Sequence, residues 1–374
     1  MDFTPGEAQR ELAGLARRIV TGHATAARLR EVETAGDRFD PALWAALAGS
    51  GVLAAALPEQ LGGAGLGLLE QCSVLTEIGR GVAPVPYLSS IVLGAGAVAR
   101  FGTLAQQRGW AAPAGRGELV LTAALAEEDG DDPAAPAARA ERAAKGDGAW
   151  RLTGTKTTVP AGLRASLTLV PAATAQGAAV FLVTPDDRGV AAQPQQLVDG
   201  DVAARMELAD VELAADRVLG GPAAGAEVTA WLAARATVGL CALQLGVIER
   251  ALELTAEHAR SRVQFGRPIG SFQAVTQRLA DAFIDVEAVR LTMWQAAWRL
   301  SAGLPCDTEV ATAKFWAAEA GHRVAHTAVH IHGGVGIDMD YPLHRYFVAA
   351  KRAEFELGGA TAQLRRIGAA LARR

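Results

Sequence analysis

Residues 260–281 read Arg-Ser-Arg-Val-Gln-Phe-Gly-Arg-Pro-Ile-Gly-Ser-Phe-Gln-Ala-Val-Thr-Gln-Arg-Leu-Ala-Asp. Apolar residues recur every three or four positions on both sides of this stretch, over roughly 222–260 and 271–302, so it is the junction where one long helix stops and another starts. A guanidinium held at a helix end offers paired donors to an anion such as a dinucleotide pyrophosphate, which makes Arg262 a candidate phosphate ligand. The plainer alternative is that Arg262 and Arg267 are solvated charges and Phe265 ordinary core. Working outward, helical patterns continue at 307–334 and 342–354, with a last short helix from Thr361. Four long helices with short loops predict an antiparallel bundle.

Upstream, from Pro5 to about Gly102, spacings such as Leu12, Leu15, Ile19 and Leu43, Leu47, Val52 predict a set of short helices. Gly62-Gly63-Ala64-Gly65 reads as a plain turn between them rather than a phosphate loop. After Arg116 the pattern changes. Leu119–Ala126, Trp150–Thr155, Leu167–Val170, Val180–Val183 and Met206–Leu213 are short runs enriched in β-branched residues and spaced by Gly, Pro and Asp, as strands are. Between the first two lies Glu127–Gly148, an Ala/Pro/charge-rich excursion that predicts a mobile surface loop. The expected architecture is an α+β multidomain chain. It has an all-α domain at 1–117, a small β-barrel or sandwich at 118–220 and a four-helix bundle at 221–374.

The 374 residues suffice for two or three packed subdomains. A net charge of -4 and a pI near 6.0 argue against a general nucleic-acid binder. Cys72, Cys241 and Cys306 are too scattered for a disulfide framework, which fits a reducing cytoplasm. The opening twenty residues have no signal-peptide core. The longest apolar stretches, Tyr87–Val98 and Gly239–Ile248, fall short of the ~20 residues that cross a bilayer, so the expectation is a soluble cytoplasmic chain without membrane insertion.

The 260–281 stretch closely resembles the signature of acyl-CoA dehydrogenases. His330-Ile-His-Gly-Gly-Val-Gly336 is similar to that family's Gln-x-x-Gly-Gly-x-Gly turn, and Gly359-Ala-Thr-Ala-Gln-Leu-Arg365 stands where the family has Glu-Gly-Thr-x-Gln. Three motifs in order on a helix–strand–helix chain extend the resemblance over essentially the whole sequence. It implies the acyl-CoA dehydrogenase fold, FAD as cofactor, and α,β-dehydrogenation of an acyl-CoA or acyl-carrier thioester. It also implies an electron-transfer flavoprotein as acceptor, and an oligomer. By the same resemblance Arg262, Gln264, Phe265, Ile269, Phe272 and Gln273 touch the FAD of a neighbouring subunit. Thr361 and Gln363 contact its phosphates and ribitol region, and Leu125 and Ala126 lie on the loop beside the flavin ring.

Some of these positions have a physical reading of their own. Gly333 and Gly334 remove side chains where a backbone comes close to another group, although a helix C-cap pair reads the same way. Thr361 is equally readable as a helix N-cap. His330 replaces the family Gln. Thr158, within Lys156–Ala161, replaces a Trp that packs near the flavin. His322, His326 and His330 share a helix face at i, i+4, i+8 spacing, but no Glu or Cys completes a metal site there, and no metal is assigned.

The catalytic carboxylate is where the chain departs from the pattern. Removing the C2 proton of a thioester needs a base within hydrogen-bond reach. One branch of the family carries it at the position of Gly359, another at the position of Ala236; neither residue accepts a proton. The next position, often Arg, is Thr237, and the family's Gly-Ser-Asp loop has become Asp131-Asp132-Pro133. Losses on the substrate side beside retention on the FAD side resemble the base-lacking subunit of an α2β2 heteromer. Two alternatives stand beside it. One is a self-sufficient enzyme, homo-oligomeric, with a displaced acid such as Glu356, Glu354 or Asp338. The other is a flavin monooxygenase or non-enzymatic interaction protein on the same scaffold.

Overall fold

A computed structural model describes residues 3–36, 38–128, 132–143 and 148–372. The chain begins with helices α1 (Glu7–His23), α2 (Ala26–Ala35), α3 (Pro41–Gly49) and α4 (Leu68–Arg80). A π-helical segment, Tyr87–Ala95, leads into α5 (Gly96–Phe101), and two short helices follow, α6 (Leu104–Gln106) and α7 (Ala112–Gly115). Asp40 starts α3 as an N-cap, its Oδ1 accepting from the Ala42 and Leu43 amides at 3.0 and 3.2 Å. Gly62 and Gly65 have φ of 84° and 67°, so the glycine cluster is the turn its composition predicts.

Strands β1 (Leu121–Ala123), β2 (Arg139–Arg142), β3 (Trp150–Val159), β4 (Leu167–Thr174), β5 (Gly177–Val183), β6 (Val190–Gln196) and β7 (Val202–Leu213) form one sheet among the described residues. Its order is β1-β4-β2-β3-β7-β6, with β5 antiparallel to β4. Two of these strands are absent from the sequence-based expectation. The Glu127–Gly148 excursion is not simply a surface loop, because Arg139–Arg142 pairs antiparallel with β3 and Ala138 and Ala140 are buried. Its residues 129–131 and 144–147 lie outside the described ones. Arg139, Glu141 and Arg142 disguise it: their charged side chains stay exposed while the backbone joins the ladder. The second, β6, is an exposed edge strand interrupted by Pro194, a residue that an edge tolerates and a central strand does not.

The chain resumes with α8 (Gly225–Ser261), a two-strand hairpin of β8 (Val263–Gln264) and β9 (Arg267–Pro268), then α9 (Gln273–Ser301), α10 (Asp307–His332), α11 (Leu343–Phe355) and α12 (Ala360–Ala372). The four long helices read from apolar periodicity are therefore present within three residues of their expected ends. Taken whole, the stretch Pro222–Ser261 is long and apolar enough to cross a membrane, contrary to the reading of its shorter apolar runs. Most of it is buried inside the protein, as in a core helix.

Contacts divide the chain into two compact units. One comprises Met1–Glu31, Leu68–Pro84 and Thr237–Arg374; the other comprises Val32–Gly67 and Val85–Ala236. The second unit holds the sheet, whose buried cluster includes Leu152, Val170, Met206 and Val211, with Trp150 edge-on to Phe181 at 5.4 Å. In the first unit α10 packs against α9, α11 and α12, and α1 against α4. Here α4 and α8 meet backbone to backbone. A Cβ on Gly79 would lie 2.1 Å from the Leu243 carbonyl oxygen, and one on Gly246 2.0 Å from that of Thr76. No rotamer relieves a clash with backbone. Gly246→Ala is expected to cost at least ~2 kcal/mol by forcing these helices apart, read as a lower denaturant midpoint with unchanged slope.

Candidate functional site

In the first unit the motif residues surround two turns. The β8–β9 hairpin turns on Phe265 and Gly266, both at positive φ, 53° and 77°. Glycine adopts that conformation freely, whereas for Phe265 it is strained, and the strain secures no packing in return: the ring is 93% exposed and meets only the edge of Phe272, at 6.1 Å. Arg267 stacks its guanidinium over Phe272 at 4.2 Å. The Arg262 backbone is fastened on both sides, its amide donating to His258 and its carbonyl accepting from Ile269, each at 2.8 Å. Its exposed guanidinium makes no hydrogen bond or ion pair with the described residues. Gln264 is folded back on the Val263 carbonyl, and Gln273 is exposed at the start of α9.

The glycine turn that follows α10 divides its labour. Gly333, at φ 63°, ends the helix, and Gly336 is packed, since a Cβ there would lie 3.1 Å from Val329 Cα and His332 Cβ. A Cβ on Gly333 or Gly334 would meet nothing within 4 Å, so both leave bare backbone accessible from outside. His330 is exposed on the last turn of α10. The expected three-histidine face yields one close pair, His322 and His326 with ring centroids at 4.4 Å. Sequence reasoning missed a different pairing, in which His332 stacks on His258 at 4.2 Å and joins this turn to the Arg262 junction. Partners on separate helices have no spacing signal to find them by.

The third motif opens α12. Gln363 is fully buried, and its amide nitrogen donates to the carbonyls of Leu357 and Gly358 at 3.1 and 3.0 Å. Its amide donors thus hold the chain's own turn. Thr361 is exposed and already inside the helix, so the N-cap alternative does not apply; Gly359 occupies the cap, its carbonyl accepting from the Gln363 amide. Across the turn, Lys314 is fully buried and donates to the terminal α11 carbonyls of Ala353 and Glu354 at 3.0 and 3.2 Å. Burial pushes its pKa down, and the two carbonyls satisfy the ammonium. A side chain at Gly359 would find room, with the Glu354 carbonyl oxygen 3.5 Å from its Cβ.

The neighbouring acids are engaged. Glu356 accepts from Arg352 at 3.2 Å; Glu354 accepts from Lys351 at 2.5 Å and meets His322 at 3.2 Å. Asp338 accepts from the Asp340 amide at 2.9 Å.

In the second unit Leu125 is buried, and Ala126 bridges Thr157 through a 3.0 Å hydrogen bond to its carbonyl. The next residue turns inward. Glu127 accepts from Lys156 at 2.6 Å and from the Ala137 and Ala138 amides at 2.5 and 2.9 Å, with both side chains at most 5% exposed. Burial pushes its pKa up, but the hydrogen bonds from Lys156 and the two amides prevail and hold the carboxyl below the usual range. Beyond Lys156 the strand bulges. Thr158 sits at φ 44°, its amide held by Gln195 Oε1 at 2.7 Å. Of the substituted Gly-Ser-Asp loop, Asp131 lies outside the described residues, and Asp132 caps the Ala134 amide at 3.0 Å.

Removing one member of a buried ion pair leaves the other uncompensated. Lys156→Met is expected to destabilise the protein by about 3–5 kcal/mol, with much of that recovered in Lys156→Met/Glu127→Leu, measured by chemical denaturation. A carboxyl whose folded pKa is depressed contributes stability above its unfolded value, near 4.3, that is lost as pH falls through the folded value. On acidification the native protein should therefore lose stability through this site, a loss absent from the double variant, which has no carboxyl there.

Comparison with known proteins gives four findings. Family profiles for the acyl-CoA dehydrogenase N-terminal and C-terminal domains match residues 6–118 and 223–372. The chain is 51% identical over 380 residues to the acyl-CoA dehydrogenase FadE27 of Mycobacterium tuberculosis, covering 100% of this chain and 99% of the relative. Among solved structures, it is similar to a chain of the ChsE4–ChsE5 complex from Mycobacterium tuberculosis, with TM-score 0.94, 51% identity and full coverage of both chains. It is also similar to a variant of the Tcur3481–Tcur3483 steroid ACAD, with TM-score 0.92, 44% identity and 99% coverage of each.

Proposed function

Because the chain belongs to the acyl-CoA dehydrogenase family, we propose that it is the base-lacking, FAD-holding subunit of a heteromeric acyl-CoA dehydrogenase. The observation that carries the reading is an asymmetry. Gly359 and Ala236 carry no acid, and the nearby Glu354 and Glu356 are tied into ion pairs. The outward-facing nucleotide residues, by contrast, are present and free to act. The exposed Arg262 guanidinium fits a pyrophosphate, Phe265 offers a ring to stack, and Gly333–Gly334 offers backbone to an approaching nucleotide. The family resemblance assigns Gln264, Ile269, Phe272, Gln273, His330, Thr361 and Gln363 to the same cofactor, and Leu125 and Ala126 to the loop beside its flavin ring.

FAD bound there would accept the hydride from C3 of the thioester. The C2 proton would pass to an acid of the partner subunit, because neither Gly359 nor Ala236 can accept it and Glu354 and Glu356 are held in ion pairs. Likeness to the two-component ChsE4–ChsE5 and Tcur3481–Tcur3483 proteins supports the heteromer, and likeness to the latter supports a steroid-bearing acyl thioester. An electron-transfer flavoprotein as acceptor and a cytoplasmic location belong to the same proposal. So do domain limits near 117 and 221, which lie close to the family profiles' limits at 118 and 223.

Expressed alone, the chain should not oxidise acyl-CoA. Co-expressed with a neighbouring dehydrogenase gene, it should co-purify yellow and active. Rapid turnover by the isolated chain, abolished in Glu356→Gln with FAD retained, would overturn the reading. In the active assembly Arg262→Gln should weaken FAD binding by about tenfold or more, the worth of a charge-assisted contact to phosphate, measured by flavin fluorescence titration.

A further inference from the structure

An imidazole pair lies between the Arg262 junction and the Gly333–Gly334 turn. His258 stands one helical turn before Arg262 on α8, and its carbonyl accepts the Arg262 amide at 2.8 Å. His332 closes α10 immediately before Gly333. The rings lie face to face, centroids 4.2 Å apart and planes 23° from parallel. His332 is only 7% exposed, with both nitrogens occupied: Nδ1 lies 2.8 Å from the Ala328 carbonyl and Nε2 3.2 Å from the Tyr341 hydroxyl. A carbonyl only accepts, so Nδ1 carries a proton; in the neutral ring that burial favours, Nε2 accepts from the Tyr341 hydroxyl.

The surroundings oppose charging this pair. Just past α8, Arg262 bears on His258, while Glu257 and Arg250 on α8 bear on Tyr341. After α10, the Tyr341 carbonyl holds His344 Nδ1 at 2.7 Å, Asp338 is engaged with the Asp340 amide, and Asp340 faces Arg30 at 3.6 Å. Among the described residues no carboxylate pairs with either imidazole. Burial pushes both pKa values down, and for His258 the adjacent ring and the Arg262 guanidinium push the same way.

We propose that His258 and His332 are positioning residues: a neutral imidazole stack that latches the Arg262 junction to the Gly333–Gly334 turn and releases it on acidification. The consequence for FAD rests on the functional reading above; the latch itself does not. The sign follows from linkage. With folded pKa values below the unfolded value near 6.5, the unfolded or opened state binds more protons, so the contact is complete above about pH 6.5 and weakens as pH falls below it.

The test is FAD titration of the apo assembly, the full chain with whatever subunit co-purifies, at pH 7.5 and 5.5. Native protein should bind FAD more weakly at the lower pH, by up to roughly tenfold, the most that one pH unit below an unfolded value near 6.5 allows. His258→Phe keeps a ring to stack and removes one of the two imidazoles that titrate, so its affinity should fall clearly less than the native protein's across the same range, the remainder coming from His332. The same pH dependence in native and His258→Phe protein overturns the proposal. Hydrogen exchange supplies a second measure that needs no cofactor. Corrected for intrinsic rates, peptides spanning 258–272 and 328–341 should both lose protection at pH 5.5 in the native chain, and protection unchanged in both overturns the latch. Should the native assembly take up no FAD at pH 7.5, the functional reading fails, and the exchange measurement still decides the latch.

Discussion

Helices α4 and α8 touch through their backbones, and the rest of the first unit is arranged around that contact. Glycine at 79 and 246 lets each helix approach a carbonyl of the other at a distance that excludes even a methyl group. The approach brings Arg80, at the end of α4, against Glu249 and Glu253 on α8 at 3.0 and 2.7 Å. It also brings the Arg80 carbonyl to the Tyr346 hydroxyl, 2.8 Å away on α11. A partly buried charge is stabilised by partners, and this network ties the rotation of α8 to α4. That rotation decides where the C-terminal end of α8 points, and with it His258 and Arg262.

The same rule, that buried polar groups are satisfied, organises the turns on which the proposed chemistry depends. Lys314 and Gln363 together take up the carbonyls of residues 353, 354, 357 and 358, so the turn carrying Gly359 is rigid although it holds no catalytic side chain. In the second unit Glu127 and Lys156 fasten the segment after Ala126 to β3 and to the amides of residues 137 and 138. Each turn is thus held by hydrogen bonds within its own unit. At Gly359 and Ala236 the acid that would move a proton is missing. Such a division is understandable in a subunit that shapes and holds while a partner reacts, because positioning depends on the scaffold and proton transfer on a single carboxylate.

Much of this was legible in the linear chain. Apolar periodicity and glycine punctuation locate the long helices because burial of one helix face writes itself locally, every three or four residues. The motif residues, too, are contiguous, so Arg262, Gly333 and Thr361 are nameable as candidates without coordinates. The absence of an acid at 236 and 359 is likewise a fact of sequence. Tertiary structure decided what no local pattern encodes. Arg139–Arg142 becomes a strand because β3 and β4 lie on either side to accept it, and its own composition says the opposite. Gln363 spends its amide nitrogen on its own turn, Lys156 is buried by a partner 29 residues away, and His258 meets His332 across two helices. Periodicity records which face of an element is buried; it does not record what that face meets, because pairing depends on how separate elements are brought together in space.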